Sequence, residues 1–215
     1  MSISDEYERN VFLNYPYDRS HQAIVDSMIF AVLCCGFSPR SADEEFGGLN
    51  QRLERIVSLI SDSKYGIHDL SASTEIAGDR PRLNMPFELG IFYGATKLGE
   101  EKHRSKQGFV FDEDFGKNHA ALSDASGLDL QPHKRQTALV LVAIQRYFRD
   151  KVTHPIVGPA QLLSLFNQYS RDIPSFCAEF GLIPGNLSYA ERRGLMTEWL
   201  ERRAGANSSI STNQK

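Results

Sequence analysis

Apolar residues along this chain fall into two alternating rhythms. Short runs rich in β-branched and aromatic side chains occur at Val11-Phe12-Leu13-Asn14-Tyr15, Phe37 to Arg40, Tyr65 to Leu70, Phe109-Val110-Phe111 and Leu128-Asp129-Leu130. Runs of this kind, bounded by turn formers, read as strands. Pro16 cannot donate to a ladder and ends the first of them. Between the runs, apolar residues recur at helical spacing. Ile24, Val25, Met28, Ile29 and Val32 predict a largely apolar helix, capped by Ser20 and stopped near Gly36. Leu49, Leu53, Ile56, Val57 and Ile60 predict an amphipathic surface helix, with Arg52, Glu54 and Arg55 on its other face. Further helices are expected from about Met85 to Leu98, with Pro86 in the first turn where proline is tolerated, from Phe115 to Asp124, and from Thr137 to Phe148. Residues 43–48 and 71–83 read as polar loops. Strands that alternate with helices of this length are the signature of βαβ units and a parallel sheet.

From about Val152 the alternation stops. Gln161 to Tyr169, Ser175 to Phe180 and Tyr189 to Arg203 predict helices separated by Pro174, Pro184 and Gly185. The expected organisation is an α/β domain over 1–151, a helical appendage over 152–204, and a Ser/Asn/Gly-rich disordered tail over 205–215. Tyr169, Phe176, Phe180, Trp199 and Leu200 are expected to pack the appendage onto the sheet domain. The other option is a surface for a partner.

Composition narrows the partners. The chain has 215 residues, 41% of them hydrophobic, with 24 basic and 27 acidic side chains and a net charge of −3. This balance gives no electrostatic case for direct nucleic-acid binding or for an anionic membrane. No apolar run is long enough to span a bilayer, and residues 1–10 lack a signal core, so a cytoplasmic protein is expected. Cys34, Cys35 and Cys177 are expected as plain buried thiols. No CxxC pair or His/Cys ligand spacing points to a metal. GxGxxG, GxxxxGK[ST] and GxSxG are all absent from the sequence, which argues against the common dinucleotide folds, phosphate-loop enzymes and nucleophile-elbow hydrolases.

The candidate chemistry lies at strand ends, where open α/β sheets bind their ligands. Asp69 and Ser71 end the third run and could hold ribose hydroxyls. They could also form a simple turn. Asn84-Met85-Pro86-Phe87-Glu88-Leu89-Gly90 opens the next helix. Glu88 in a first helical turn complements the macrodipole, which should keep it ionised, and an ionised carboxylate can stabilise or capture an oxocarbenium-like sugar carbon. Tyr15 and Tyr17 could stack on a base, Arg80 and Arg82 could meet phosphates, and Asn14, Asp18, Asn84 and Met85 complete the expected pocket. Ser123, Asp124 and Asp129 flank the last strand. His68 is expected to pack.

These residues form a recognisable set. Val11-Phe12-Leu13-Asn14-Tyr15 with Asp18 resembles the opening of Toll/interleukin-1 receptor (TIR) domains. Asp69-Leu70-Ser71 followed by Asn84 to Gly90 resembles nucleoside 2-deoxyribosyltransferases. The set, with Leu122 to Asp129, is most similar to bacterial TIR-like or deoxyribosyltransferase-like proteins over roughly residues 10–150. The resemblance implies a flavodoxin-like sheet of order near 2-1-3-4-5 with helices on both faces. It implies cleavage or transfer at the N-glycosidic bond of a nucleotide, often NAD, taken as substrate with no prosthetic group. By the resemblance Glu88 is the catalytic glutamate, Asp69 the substrate-orienting acid and Tyr15 the first-strand tyrosine. It further implies a role in anti-phage defence, as a homo-oligomer or in complex with a partner protein. The chain departs from the deoxyribosyltransferase pattern in having Asp79-Arg80 where an Asp-Gly pair is usual. It departs from TIR NADases in having Asn84 and Phe87 where a Ser or Cys is usual near the glutamate. Three functions follow: an NADase, a nucleoside or nucleotide deoxyribosyltransferase, and a non-catalytic nucleotide-sensing or assembly module.

Overall fold

A computed structural model describes the backbone of residues 3–44, 52–71, 83–114 and 130–212, with side chains from residue 6 to 205. The elements are α1 (Ile3–Arg9), β1 (Asn10–Asn14), α2 (Gln22–Cys34), β2 (Ser38–Arg40), α3 (Arg52–Ser61), β3 (Tyr65–Asp69), α4 (Asn84–Leu98), β4 (Gln107–Asp112), β5 (Leu130–Pro132), α5 (Thr137–Arg149), α6 (Pro159–Glu179) and α7 (Tyr189–Thr212). All strand pairs are parallel and the order is β2-β1-β3-β4-β5. The fold is flavodoxin-like α/β with a C-terminal helical region; the strand and helix rhythm predicts the parallel sheet and the C-terminal helices, and the resemblance implies the strand order.

Period-2 alternation assigns the two faces of the sheet. Val11, Leu13, Tyr65, Ile67, Phe109 and Phe111 join one core cluster with α2 and α5. Phe12 turns the other way onto Ile56, Leu59, Ile60 and Phe92 of α3 and α4. Val110 and Leu70 pack on Met85 and Leu89 of α4. Gly66 makes room for α4, since a Cβ there would lie 2.8 Å from the Phe92 ring. Both sheet edges are three-residue strands containing proline, Pro39 and Pro132, which blunts them against stray pairing.

The C-terminal helices are a third layer. Phe30 of α2, fully buried, meets Phe166 at 5.4 Å, Tyr169 at 5.5 Å and Trp199 at 6.0 Å between ring centroids. Residues 159–200 therefore share one hydrophobic cluster with α2 and α5. They are part of the main core and not a separate lobe hung on it. This explains why α2 is apolar on all sides: it lies between the sheet and α6/α7.

Several sequence expectations need correction. Asp18, not Ser20, caps the turn into α2; its carboxylate accepts from the Ser20 amide at 2.8 Å. Residues 3–9 form a helix that polar composition did not suggest. Pro174 does not divide two helices but lies inside α6. Its missing donor is outweighed by burial of Leu162, Phe166, Tyr169, Phe176 and Cys177 along the same helix. Helix α7 continues to Thr212, past the point where order was expected to end. The expected helix over 115–124 and the start of the fifth strand at 128–129 lie outside the described residues. Among the described residues no helix is long and apolar enough to cross a membrane.

Candidate functional site

In this strand order the topological switch lies between β1 and β3, and the crevice outside their carboxyl ends is where such sheets take ligands. Buried polar groups concentrate there. Asn14, His68, Asp69, Ser71 and Glu88 are each at most 7% exposed, a concentration that only specific partners can sustain.

One group lies on the α4 side. The Asn14 amide donates to the Met85 carbonyl at 2.8 Å and lies 3.1 Å from His68 Nδ1. This ties the end of β1 to the start of α4. His68 is wedged against Phe12 and Phe92. Burial pushes its pKa down to about 3, so it is a neutral packed ring, as the sequence suggests. Glu88 is 7% exposed. It is not in a first turn: α4 begins at Asn84 with no side-chain cap, and Glu88 is one turn further in, where the macrodipole has faded. Burial dominates and pushes Glu88 up to about 7, with Arg52 opposing and Asp43 adding to the rise. The expectation of a dipole-ionised Glu88 is thus replaced by a carboxyl poised between its two states at neutral pH.

Asp43 links Glu88 to Tyr15. The Tyr15 hydroxyl donates to Asp43 Oδ2 at 3.2 Å and accepts from Ser41 Oγ at 3.0 Å. Burial, and then the charge of Asp43, push the Tyr15 phenol up, so it stays protonated and donates. The turn carrying Asp43 (Ala42–Glu44) is braced by the C-terminal layer: Arg193 of α7 reaches Glu44 Oε1 at 3.3 Å, and Arg40 reaches the same oxygen at 3.1 Å.

A second group lies on the α2/α5 side. Asp69 Oδ2 is 2.5 Å from His21 Nε2 and 3.3 Å from His133 Nε2, and all three side chains are buried. Asp69 Oδ1 accepts from the Ser71 amide at 2.9 Å, and Ser71 Oγ lies 2.9 Å from His133 Nε2. Burial pushes Asp69 up, but the hydrogen bonds from His133 and His21 prevail and hold it well below the usual carboxylate range. Backbone strain holds His133 in place. Lys134 and Arg135 follow it at φ 49° and 54°, a left-handed pair that non-glycine residues adopt only when their surroundings compel it. In that conformation the Arg135 amide donates to His133 Nδ1 at 3.0 Å.

His21, Asp69 and His133 offer three ligand-type atoms within 4.8 Å of one another. The tautomer argues against a metal there. A neutral imidazole that accepts at Nδ1 carries its proton on Nε2, the nitrogen a metal would need. The cluster as built is a carboxylate clasped by two imidazoles and an amide.

The sequence-predicted residues thus divide. Asn14 meets Met85, Tyr15 meets Asp43, and Ser71 meets Asp69. Asp69 and Glu88 share the carboxyl rim but serve opposite faces of the sheet. Asn84 is exposed and Tyr17 is 76% exposed, at the rim and not in the packed site. Arg80, Arg82, Ser123, Asp124 and Asp129 lie outside the described residues. His21, Asp43 and His133 were missed. Their signal was positional: each follows or faces a strand's carboxyl end, as His133 does directly after Pro132. No family model, curated protein or solved structure matches the chain; the family likeness rests on the residues quoted above.

Proposed function

We propose that this chain cleaves the base–ribose bond of a nucleotide, with NAD as its substrate, and that Glu88 is the catalytic group. The single observation that carries this reading is Glu88 itself: a carboxyl at most 7% exposed, beside the switch point of the sheet, and pushed up to about 7 by burial. A group with that balance supplies what N-glycosidic chemistry asks for. Nicotinamide leaves NAD as a neutral base, so its departure needs no proton. The C1′–N bond breaks with its electron pair passing to nitrogen, and the carboxylate stabilises or captures the sugar cation. The nicotinium charge of bound substrate itself favours the ionised form. Water then delivers its oxygen to C1′ and loses a proton. Asn14 fixes the start of α4 against β1, Tyr15 with Asp43 borders the carboxyl, and the Asp69 clasp holds Ser71 at the rim as a candidate ribose contact.

The resemblance to TIR-like and deoxyribosyltransferase-like proteins supports the same reading. A cytoplasmic role in a bacterial anti-phage defence system, with a partner protein, rests on that resemblance alone. The protonated fraction of Glu88 favours one second reading, a deoxyribosyltransferase, because a purine or pyrimidine leaving group takes up a proton. Incubation with NAD and a nucleotide panel, with and without free base, separates the two. Net release of nicotinamide supports the hydrolase, and exchange of labelled base without net hydrolysis supports the transferase. In either case Glu88→Gln should lower the rate on the order of 10²–10⁴-fold.

A further inference from the structure

Helix α4 is apolar on both sides. Met85, Leu89 and Phe92 are buried on the sheet. On the opposite side, Leu83, Phe87, Gly90, Gly94 and Leu98 follow one another every three or four residues, which places them on a single face. That face is open: Leu83 is 65% exposed, Phe87 57% and Leu98 90%, with Tyr93 beside them at 51%. Lys97, three residues after Gly94 on the same side, lays its ammonium over the Tyr93 ring at 5.5 Å. A helix apolar all round is built for burial. Helix α2 has the same character, and there α6 and α7 cover the outer side. They lie across the sheet from α4 and cannot cover both.

We infer that the outer face of α4 is the contact surface for a second copy of this chain, paired antiparallel about a two-fold axis between Gly90 and Gly94. Three observations favour this occupant. Nothing lies within 4 Å of a Cβ placed on Gly90 or Gly94, so two α4 helices can approach closely there, with Gly90 of one copy meeting Gly94 of the other. About that axis Phe87 of one copy falls level with Lys97 and Leu98 of the other, where the aromatic ring can take both the leucine side chain and the lysine stem. This is the isologous arrangement of a closed dimer. With Leu53 and Val57 of the neighbouring α3, also about half exposed, the apolar surface comes to roughly 700 Å² per copy, close to the ~800 Å² per partner of a standard interface. The chain leading into α4 is a poor alternative cover. Residues 72–82 have Ile76 as their one large apolar side chain, among Glu75, Asp79, Arg80 and Arg82.

The inference is independent of the reaction. Light scattering on the purified full chain should give a mass twice 24.2 kDa, falling towards the monomer on dilution. Phe87→Lys alone, which sets like charges at positions 87 and 97 across the axis, and Leu98→Glu alone should each give a monomer with the wild type's far-ultraviolet circular dichroism, because both side chains are exposed. Mixing the two variants should restore a dimer, as each glutamate meets a lysine across the axis. A wild-type monomer at every concentration, a dimer that both variants retain, or a mixture that stays monomeric overturns the proposal. So does a wild-type monomer that instead sediments with lipid vesicles.

Discussion

Glu88 and Asp69 are two carboxyls on the same rim whose surroundings drive them apart. Both are desolvated, but Asp69 receives hydrogen bonds from His133, His21 and the Ser71 amide, while the charges acting on Glu88 partly cancel. Such divergent pairs are where acid and base roles are found. Each makes a signed prediction. Glu88 titrates near 7 folded against an ordinary value of 4.5, so its ionised form is penalised only in the folded state, and stability falls as pH rises through that window. Glu88→Gln should therefore be nearly neutral at pH 5 and stabilising on the order of 2 kcal/mol at pH 8, read from denaturant melts at the two pH values. Asp69 has the opposite sign: its contribution is present above the ordinary carboxylate range and lost in strong acid. Asp69→Asn should cost about 3–5 kcal/mol at neutral pH. Because His133 accepts at Nδ1, removal of divalent ions by a chelator should leave the melting temperature unchanged. A drop of several degrees would show that the clasp holds an ion.

At the scale of elements, most of the fold was legible because each strand and helix declares itself locally. Val11, Leu13, Ile67 and Phe111 alternate faces as period 2 requires, and α3 has a clean amphipathic stripe. What failed were features decided by the third dimension. Pro174 reads as a breaker in sequence, yet α6 is held by its contacts with α2 and α5. His21, Asp69 and His133 are far apart in sequence and meet only because β1, β3, β4 and β5 line up in that order. Glu88 looked like a first-turn acid because the start of α4 at Asn84, without a capping side chain, leaves no strong boundary signal. The all-round apolar character of α2 was visible, but not what covers it. Phe30→Ala tests that cover. It removes the ring against which Phe166, Tyr169 and Trp199 pack and should cost about 3–5 kcal/mol in chemical denaturation.

For the whole molecule, the sheet and its C-terminal helices stand or fall together. A chain ending at residue 151 would expose the outer side of α2, including the Phe30 ring that Phe166, Tyr169 and Trp199 cover. It should aggregate or fail to fold, whereas a separable appendage would leave a soluble, cooperatively melting sheet domain. The same layer also reaches the rim: Arg193 of α7 steadies Glu44, next to the Asp43 that acts on Glu88 and Tyr15. The most direct test of the central claim is product chromatography of NAD incubated with the purified full chain and with Glu88→Gln matched for folding by circular dichroism. Nicotinamide release by the wild type, lost in the variant, is the expected result. Release at an undiminished rate by the folded Glu88→Gln protein would contradict the account.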